Sequence, residues 1–582
     1  MTTTEIGVET MLDIAIRGGE VIDGSGSARY MADVGIQGER IVAVGQVGEA
    51  AAEIDASGMI VSPGFIDVHT HFDAQVFWDG QLTPSPLHGV TTALGGNCGF
   101  TIAPLSADAT DSDYLMRMLA RVEGMPLETL QTAVPWGTWA STSEYLDVVD
   151  GRLGINAGFM TGHSAIRRTI MGRESTMRVA TAEELSAMKH LLHDGLEAGA
   201  LGFSSSWART HNGDDGRMVP SRYASQDEVV ALCSVLEEHD GTSLEFIPMV
   251  GPFEPWATDL MAEMSVAAQR PLNWNVMVVR ASNLEESMKR LEASSEATQQ
   301  GGKVVGLTIP MGIATRLSFA SGFVLDAIPG WEEAMLLPRA EKLAILSDPI
   351  GRRRLDEATR QPSNTLPGIT DWSTKMIYDV VASENEQYRG RLVGEIAADM
   401  GRDPFDVLCD IAIADDLLTS FGTPPPVDTK ADWEARLAVW RDGRAVIGGS
   451  DAGAHLDLLA TFNYTTVMLE EAVRRHDILS LEEAVHLLTD VQAQLYGIRE
   501  RGRVTQGWYA DLVVFDPLRV GSEQVSMRFD LPGGAGRLYA GANGIGHVLV
   551  NGSPVVTDGE LTGALNGQLL RSGRDTATPS LG

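Results

Sequence analysis

The chain has 582 residues, 44% of them hydrophobic, and a formal net charge of −35 at pH 7. That much apolar content over that length can bury a large core, which excludes a globally disordered chain and exceeds what one small domain would hold. The excess of carboxylates repels phosphate backbones and anionic lipid, which argues against nucleic acid and membrane surfaces as partners.

The N-terminus, MTTTEIGVETMLDIAIRGG, carries Glu5, Glu9 and Asp13 where an export signal needs a basic start and an unbroken apolar stretch. No segment approaches the ~20 apolar residues of a membrane span. Three cysteines, Cys98, Cys233 and Cys409, cannot close a disulfide framework and suit a reducing compartment. A cytoplasmic protein is expected, and self-association into a homo-oligomer is left open.

Residues 12 to 62 read as short strands parted by Gly-rich turns: LDIAIRGGEVIDG, ADVGIQGERIVAVG, then MIVSPGF. The same texture returns in ADLVVFDPLRV and GHVLVNGSPVVTDGE. Residues 1–62 and 500–582 are therefore expected to form one composite β-sandwich, leaving 63–499 as a separate domain. Within that middle lie eight apolar runs bounded by turn signals: MIVSPGFIDVH, GVTTALGGNCGF, GINAGFMTGHS, GALGFSSS, TSLEFIPMV, LNWNVMVV, KVVGLTIP and AVIGGSDAGAH. Helical patterns separate several of them. In TAEELSAMKHLLHDGLEA, Thr181 and Glu184 predict a capping box, and Leu185, Met188, Leu192 and Leu196 share one face. Ser225 with Glu228, and Ser480 with Glu483, repeat the signature. Eight strand–helix units predict an α/β fold, a closed (β/α)8 TIM-like barrel. An open doubly wound sheet is the rival, though no G-x-G-x-x-G follows the first strand. Residues 311–444, between the seventh and eighth strands, are far longer than one crossover and are expected to form a mostly helical cap.

The active site of such a barrel lies at the carboxyl ends of its strands. The first, PGFIDVHTHFD, ends in His69 and His71, which point to the same side because they are two apart on a strand. Alone, such a pair is as readily two core histidines as two metal ligands. The second strand ends with Cys98 in GGNCGF and the third with His163 in TGHSAIRR; the fifth holds Glu245 and the eighth Asp451 in GGSDAGAHLD. Imidazoles, a thiol and carboxylates converging on one rim make a donor set for zinc or a similar divalent ion. His211, in WARTHNGDDGR after the fourth strand, and His455 lie on the same rim. Arg209 could grip a substrate carboxylate, although a surface arginine in a polar loop is the commoner case.

PGFIDVHTHFD, GVTTALGGNCGF, GHSAIRR, GALGFSSS, GGSDAGAHLD and ERGRVTQGWYADLVVFDP together resemble the amidohydrolase superfamily, specifically its N-acyl-D-amino-acid deacylase (D-aminoacylase) branch, from about residue 12 to 570. The resemblance implies a zinc barrel, a sandwich built from both chain ends, an insertion before the last strand, and hydrolysis of a linear amide on an N-acylated D-amino acid. By motif, His69 and His71 match the first-strand ligands and Cys98 a thiolate ligand that can bridge two metals. Asp451 matches the catalytic residue that takes a proton from the attacking water and returns it to the leaving amine.

The chain departs from that pattern at strands five and six, where the branch carries histidines and this sequence reads SLEFIPMV and LNWNVMVV. No histidine lies between His239 and His455. Glu245 and Asn273 or Asn275 stand there instead. The expectation is one tightly bound zinc-like ion held by His69, His71 and Asp451, with Cys98 or Glu245 completing the shell. His163, Arg209, His211, Asn275 and His455 are expected to face a small-molecule substrate. The alternatives are cleavage of a cyclic amide or ester by the same machinery, or a metal-depleted barrel serving as a binding or scaffold protein.

Overall fold

The computed structural model describes residues 11–361 and 367–581. The stretch read for an export signal begins in residues 1–10, outside the described residues. Among the described residues no helix is long and apolar enough to cross a membrane.

Eight parallel strands follow one another: Phe65–Asp67, Val90–Gly95, Asn156–Phe159 continued by Thr161–Gly162, Gly202–Ser206, Ser243–Ile247, Leu272–Val278, Val304–Ile309 and Ala445–Ile447. Each pairs with the next in chain order, the third bridging its break at Met160. The ring closes just beyond the strands, where Asp451 N donates to His69 O and His71 N donates to Ala452 O. The expected barrel is therefore observed. Its strands read as continuous apolar runs because helices cover them outside and packed side chains fill them inside. The helix Ala182–Glu197 shows the outer layer at work: Thr181 and Glu184 form the full capping box, and Met188, Leu192 and Leu196 are buried.

One run read as a single strand is divided. In MIVSPGFIDVH, Ile60–Pro63 joins a seven-stranded sheet and Phe65–Asp67 opens the barrel. Gly64 marks the break, because a Cβ there would come within 2.0 Å of Thr91 Oγ1. Ile60–Pro63 pairs antiparallel with Leu512–Phe515, so the two ends of the chain share a sheet. A four-stranded sheet, drawn from Leu12–Arg17, Asp33–Gln37, Arg40–Gly45 and Ala50–Asp55, completes this part. Ile16, Val34, Ile36, Val61, Leu512 and Val514 form a common core for the two sheets.

Between the seventh and eighth barrel strands the chain builds helices, among them Arg339–Ser347, Pro349–Thr359, Val393–Met400, Pro404–Ala414 and Lys430–Asp442, and a small antiparallel sheet of Arg316–Leu317, Ser420–Gly422 and Met376–Asp379. Trp331 is fully buried in its core, stacked on Trp372 with ring centroids 5.5 Å apart. This segment reaches the barrel's carboxyl rim: Phe323 stacks on His455 at 5.7 Å, and Asp326 pairs with Arg121 at 3.1 Å.

Candidate metal centre

His69 and His71 leave the end of the first strand side by side and buried. Cys98 Sγ lies 3.5 Å from His69 Nε2 and 3.8 Å from His71 Nε2. Asp451 Oδ1 lies 3.1 Å and 3.7 Å from the same two nitrogens. Ligands held ~2.0–2.3 Å from zinc stand about 3.3–3.6 Å apart around a tetrahedron. These separations fit, and the ligand atoms of His69, His71 and Cys98 all fall within 4.8 Å of one another. Two imidazoles, a thiol and a carboxylate so arranged suit a zinc-like ion.

The backbone is bent to make this convergence. Cys98, Asp451 and His455 have φ of 59°, 53° and 50°, left-handed values that residues other than glycine adopt at a cost of about 1 kcal/mol or more. The Cys98 turn is pinned from two sides. Asn97 Nδ2 donates to Thr70 O at 3.1 Å and to Leu94 O at 2.9 Å. From the fifth strand, Glu245 Oε2 accepts from Cys98 N at 2.7 Å, while its Oε1 accepts from Asn275 Nδ2. Asn275 sits where the register between strands six and seven slips, between Trp274 and Met277. Asn273 is turned elsewhere, donating to Leu244 O at 2.8 Å.

The electrostatics follow from burial and crowding. Burial, with the neighbouring His69, pushes the His71 imidazole down to about 3. Burial also works against a charged His69, but the bond to Asp451 holds its pKa above the ordinary value. Asp451 is correspondingly kept below the usual carboxylate range: desolvation opposes this, and the contact with His69 prevails. Burial lifts Glu245 to about 7 and raises the Cys98 thiol well above its ordinary value, the latter helped by Glu245, Glu123 and Asp451.

Glu123 was missed in the sequence. It ends the helix Ala109–Val122, and its buried carboxylate puts Oε2 3.5 Å from His71 Nε2 and 4.0 Å from His455 Nε2. It lies beyond a long connection rather than at a strand end, so no motif or periodicity marked it.

The expected substrate residues are distributed unevenly. His455 is on the rim beside Glu123. His211 is half-buried with Nδ1 2.7 Å from Ser206 Oγ and its ring edge-on to Phe100; burial, then the charge on His455, pushes its pKa to about 3. Arg209 is exposed in the loop after the fourth strand. Asn275 is engaged with Glu245. His163 is not brought to the cluster: its Nδ1 meets Ser205 Oγ at 2.8 Å and its Nε2 meets Glu228 Oε1 at 3.0 Å, leaving neither ring nitrogen for a ligand. Glu228 explains this. Ser225 caps its helix as expected, but the Glu228 carboxylate turns inward to His163 and Arg167 instead of closing the capping box.

Three likenesses bear on this geometry. The D-aminoacylase of Alcaligenes xylosoxydans xylosoxydans is 27% identical over 570 residues, spanning 96% of this chain and 97% of that protein. A solved D-aminoacylase, described by a binuclear metal centre with one-metal activation and second-metal attenuation, superposes with a TM-score of 0.64 at 26% identity, covering 96% of this chain and all of that one. The N-acyl-D-glutamate deacylase of Bordetella bronchiseptica, solved with zinc and a phosphonate mimic of the tetrahedral intermediate, gives a TM-score of 0.62 at 25% identity, over 97% of this chain and 100% of that one. The sequence signature of the amidohydrolase family matches residues 52–556, through the whole barrel and into the sheets on either side of it, and the chain belongs to that family.

Proposed function

We propose that this protein is a zinc-dependent hydrolase of the linear amide bond in N-acylated D-amino acids, working with one tightly held ion. The observation that carries the reading is the 3.1 Å separation of His69 Nε2 and Asp451 Oδ1, which supports an imidazole ligand and a proton-carrying carboxylate acting on the same ion. His69, His71 and Asp451 would hold the ion, with Cys98 beside them. When bound, the ion supplies Lewis acidity, polarising the amide carbonyl and lowering the pKa of water from about 15.7 toward about 7. Asp451, ionised at neutral pH, accepts the proton that the attacking water loses and delivers it to the departing nitrogen, which leaves as a neutral amine. His211 and Arg209 bind the substrate's polar groups at the rim.

In this reading residues 1–62 and 500–582 form a supporting sandwich and 63–499 the catalytic barrel. Residues 311–444 form the cap that shapes the acyl pocket and excludes water. Three free, buried cysteines support a cytoplasmic setting. The likeness to the D-aminoacylase and the N-acyl-D-glutamate deacylase supports the substrate class. The test is turnover of a panel of N-acetylated D- and L-amino acids alongside cyclic amides and lactones, with metal content measured on the same sample. Hydrolysis of D-substrates in proportion to bound zinc is expected. Metal-loaded protein that cleaves only the cyclic compounds would overturn the reading.

A further inference from the structure

Glu123, the cap residue that follows the helix Ala109–Val122, is anchored to the loop after the eighth strand, where His455 N donates to Glu123 O. That contact delivers the Glu123 side chain, 4% exposed, into the imidazole cluster. Its neighbours are unusual for a buried anion. Arg121, two residues earlier, pairs with Asp326 instead. The other buried carboxylates nearby have N–H donors: Asp73 accepts from Gly96 N at 2.9 Å, and Glu245 from Cys98 N and Asn275. The ion-pair partners of Glu123 among the described residues are the imidazoles of His71 and His455. Burial and the neighbouring carboxylates push the Glu123 carboxyl well above the usual carboxylate range, so without a cation beside it the group is held neutral, and the ionised form needs such a cation.

We propose that Glu123 is a ligand of the catalytic metal ion, joining His71 and Asp451, and that His455 is a positioning residue that orients the Glu123 carboxylate. The proposal rests on the metal-dependent reading above. It also answers the gap at strands five and six, where Glu245 and Asn275 bond to one another: the missing donor comes from the helix after strand two. Glu123 Oε2 and Asp451 Oδ1 stand 3.5 Å and 3.7 Å from His71 Nε2. Ligands with bonds of ~2.0–2.1 Å to one ion are spaced about 3.3 Å apart, so each carboxylate is close to the spacing needed to share an ion with His71.

The test is the affinity of wild type, Glu123→Gln and Glu123→Ala for zinc, by competition with a chromophoric chelator, and the visible spectrum of the cobalt-substituted forms. Melting temperatures with and without metal accompany both. Weakening of zinc affinity by 100-fold or more and an altered cobalt spectrum are expected in Glu123→Gln. Its metal-free form should melt no lower than metal-free wild type, so that the rise on adding zinc shrinks. A merely structural pairing of Glu123 with His71 would instead lower the metal-free melting temperature and leave affinity and spectrum alone, which would overturn the assignment. Wild-type protein that binds no zinc would overturn the metal-dependent reading itself.

Discussion

Cys98 N donates to Glu245 Oε2 across 2.7 Å, tying a left-handed turn on the second strand to the floor of the fifth. The carboxylate thereby does structural work at a point where relatives in this branch are expected to place a ligand. Glu245→Ala would orphan both the Cys98 amide and the Asn275 carboxamide, each buried, at about 1–3 kcal/mol per unsatisfied group. Chemical denaturation should therefore show a loss of about 2–6 kcal/mol. Glu245→Gln keeps an acceptor for Cys98 N and should retain the metal ion. Loss of metal from that variant would make Glu245 a ligand rather than a brace.

How far the sequence led depended on whether a residue sat in a local pattern. The barrel strands, the Thr181 capping box, and the grouping of His69, His71, Cys98 and Asp451 were readable because each lay at a strand end or a helix start with its own signal. Glu123 was not, since its place depends on a tertiary contact with His455 across more than three hundred residues of chain. His163 and Glu228 were misjudged for a related reason. A histidine at a strand end and a glutamate at a capping position both carried correct local signals, yet they satisfy each other in the layer behind the rim. The division of MIVSPGFIDVH was hidden because two sheets requiring the same apolar residue types meet at Gly64.

Asp451→Asn removes the charge that holds the His69 imidazole and the group proposed to carry the proton, while preserving shape. Turnover should fall at least 10²–10⁴-fold, the usual contribution of a positioned general base, with the circular-dichroism melt little changed. Near wild-type turnover would show that another group carries the proton.

Trp331 is fully buried among Phe319, Trp372 and Phe405 in the core of the segment between strands seven and eight. Its Nε1 donates to Leu355 O at 2.8 Å. Trp331→Ala should cost about 3–5 kcal/mol, concentrated in this segment because its core is its own. Hydrogen exchange should quicken across the helices Arg339–Ser347 and Pro404–Ala414 while the barrel strands keep their protection. Uniform quickening throughout the chain would mean that the segment and the barrel unfold as one unit.

His88 offers a pH dependence away from the metal centre. It is fully buried between the barrel and the C-terminal segment, with Nδ1 2.7 Å from Thr466 Oγ1 and Nε2 3.1 Å from Ala540 O. Burial pushes its pKa down to about 4 from an ordinary value of 6.5. Above pH 6.5 the ring is neutral in folded and unfolded chains alike, so its contribution is fully present there. As pH falls below 6.5 the unfolded chain takes up a proton that the folded chain refuses, and stability is lost until the folded ring titrates near pH 4. The loss is worth at most about 3 kcal/mol. Many carboxylates titrate over the same range, so the measurement is the difference in unfolding free energy between wild type and His88→Gln at a series of pH values. Wild type should lose ground to the variant steadily between pH 6.5 and 4, and a difference that stays level across that range would show that His88 is protonated as easily inside the protein as outside it.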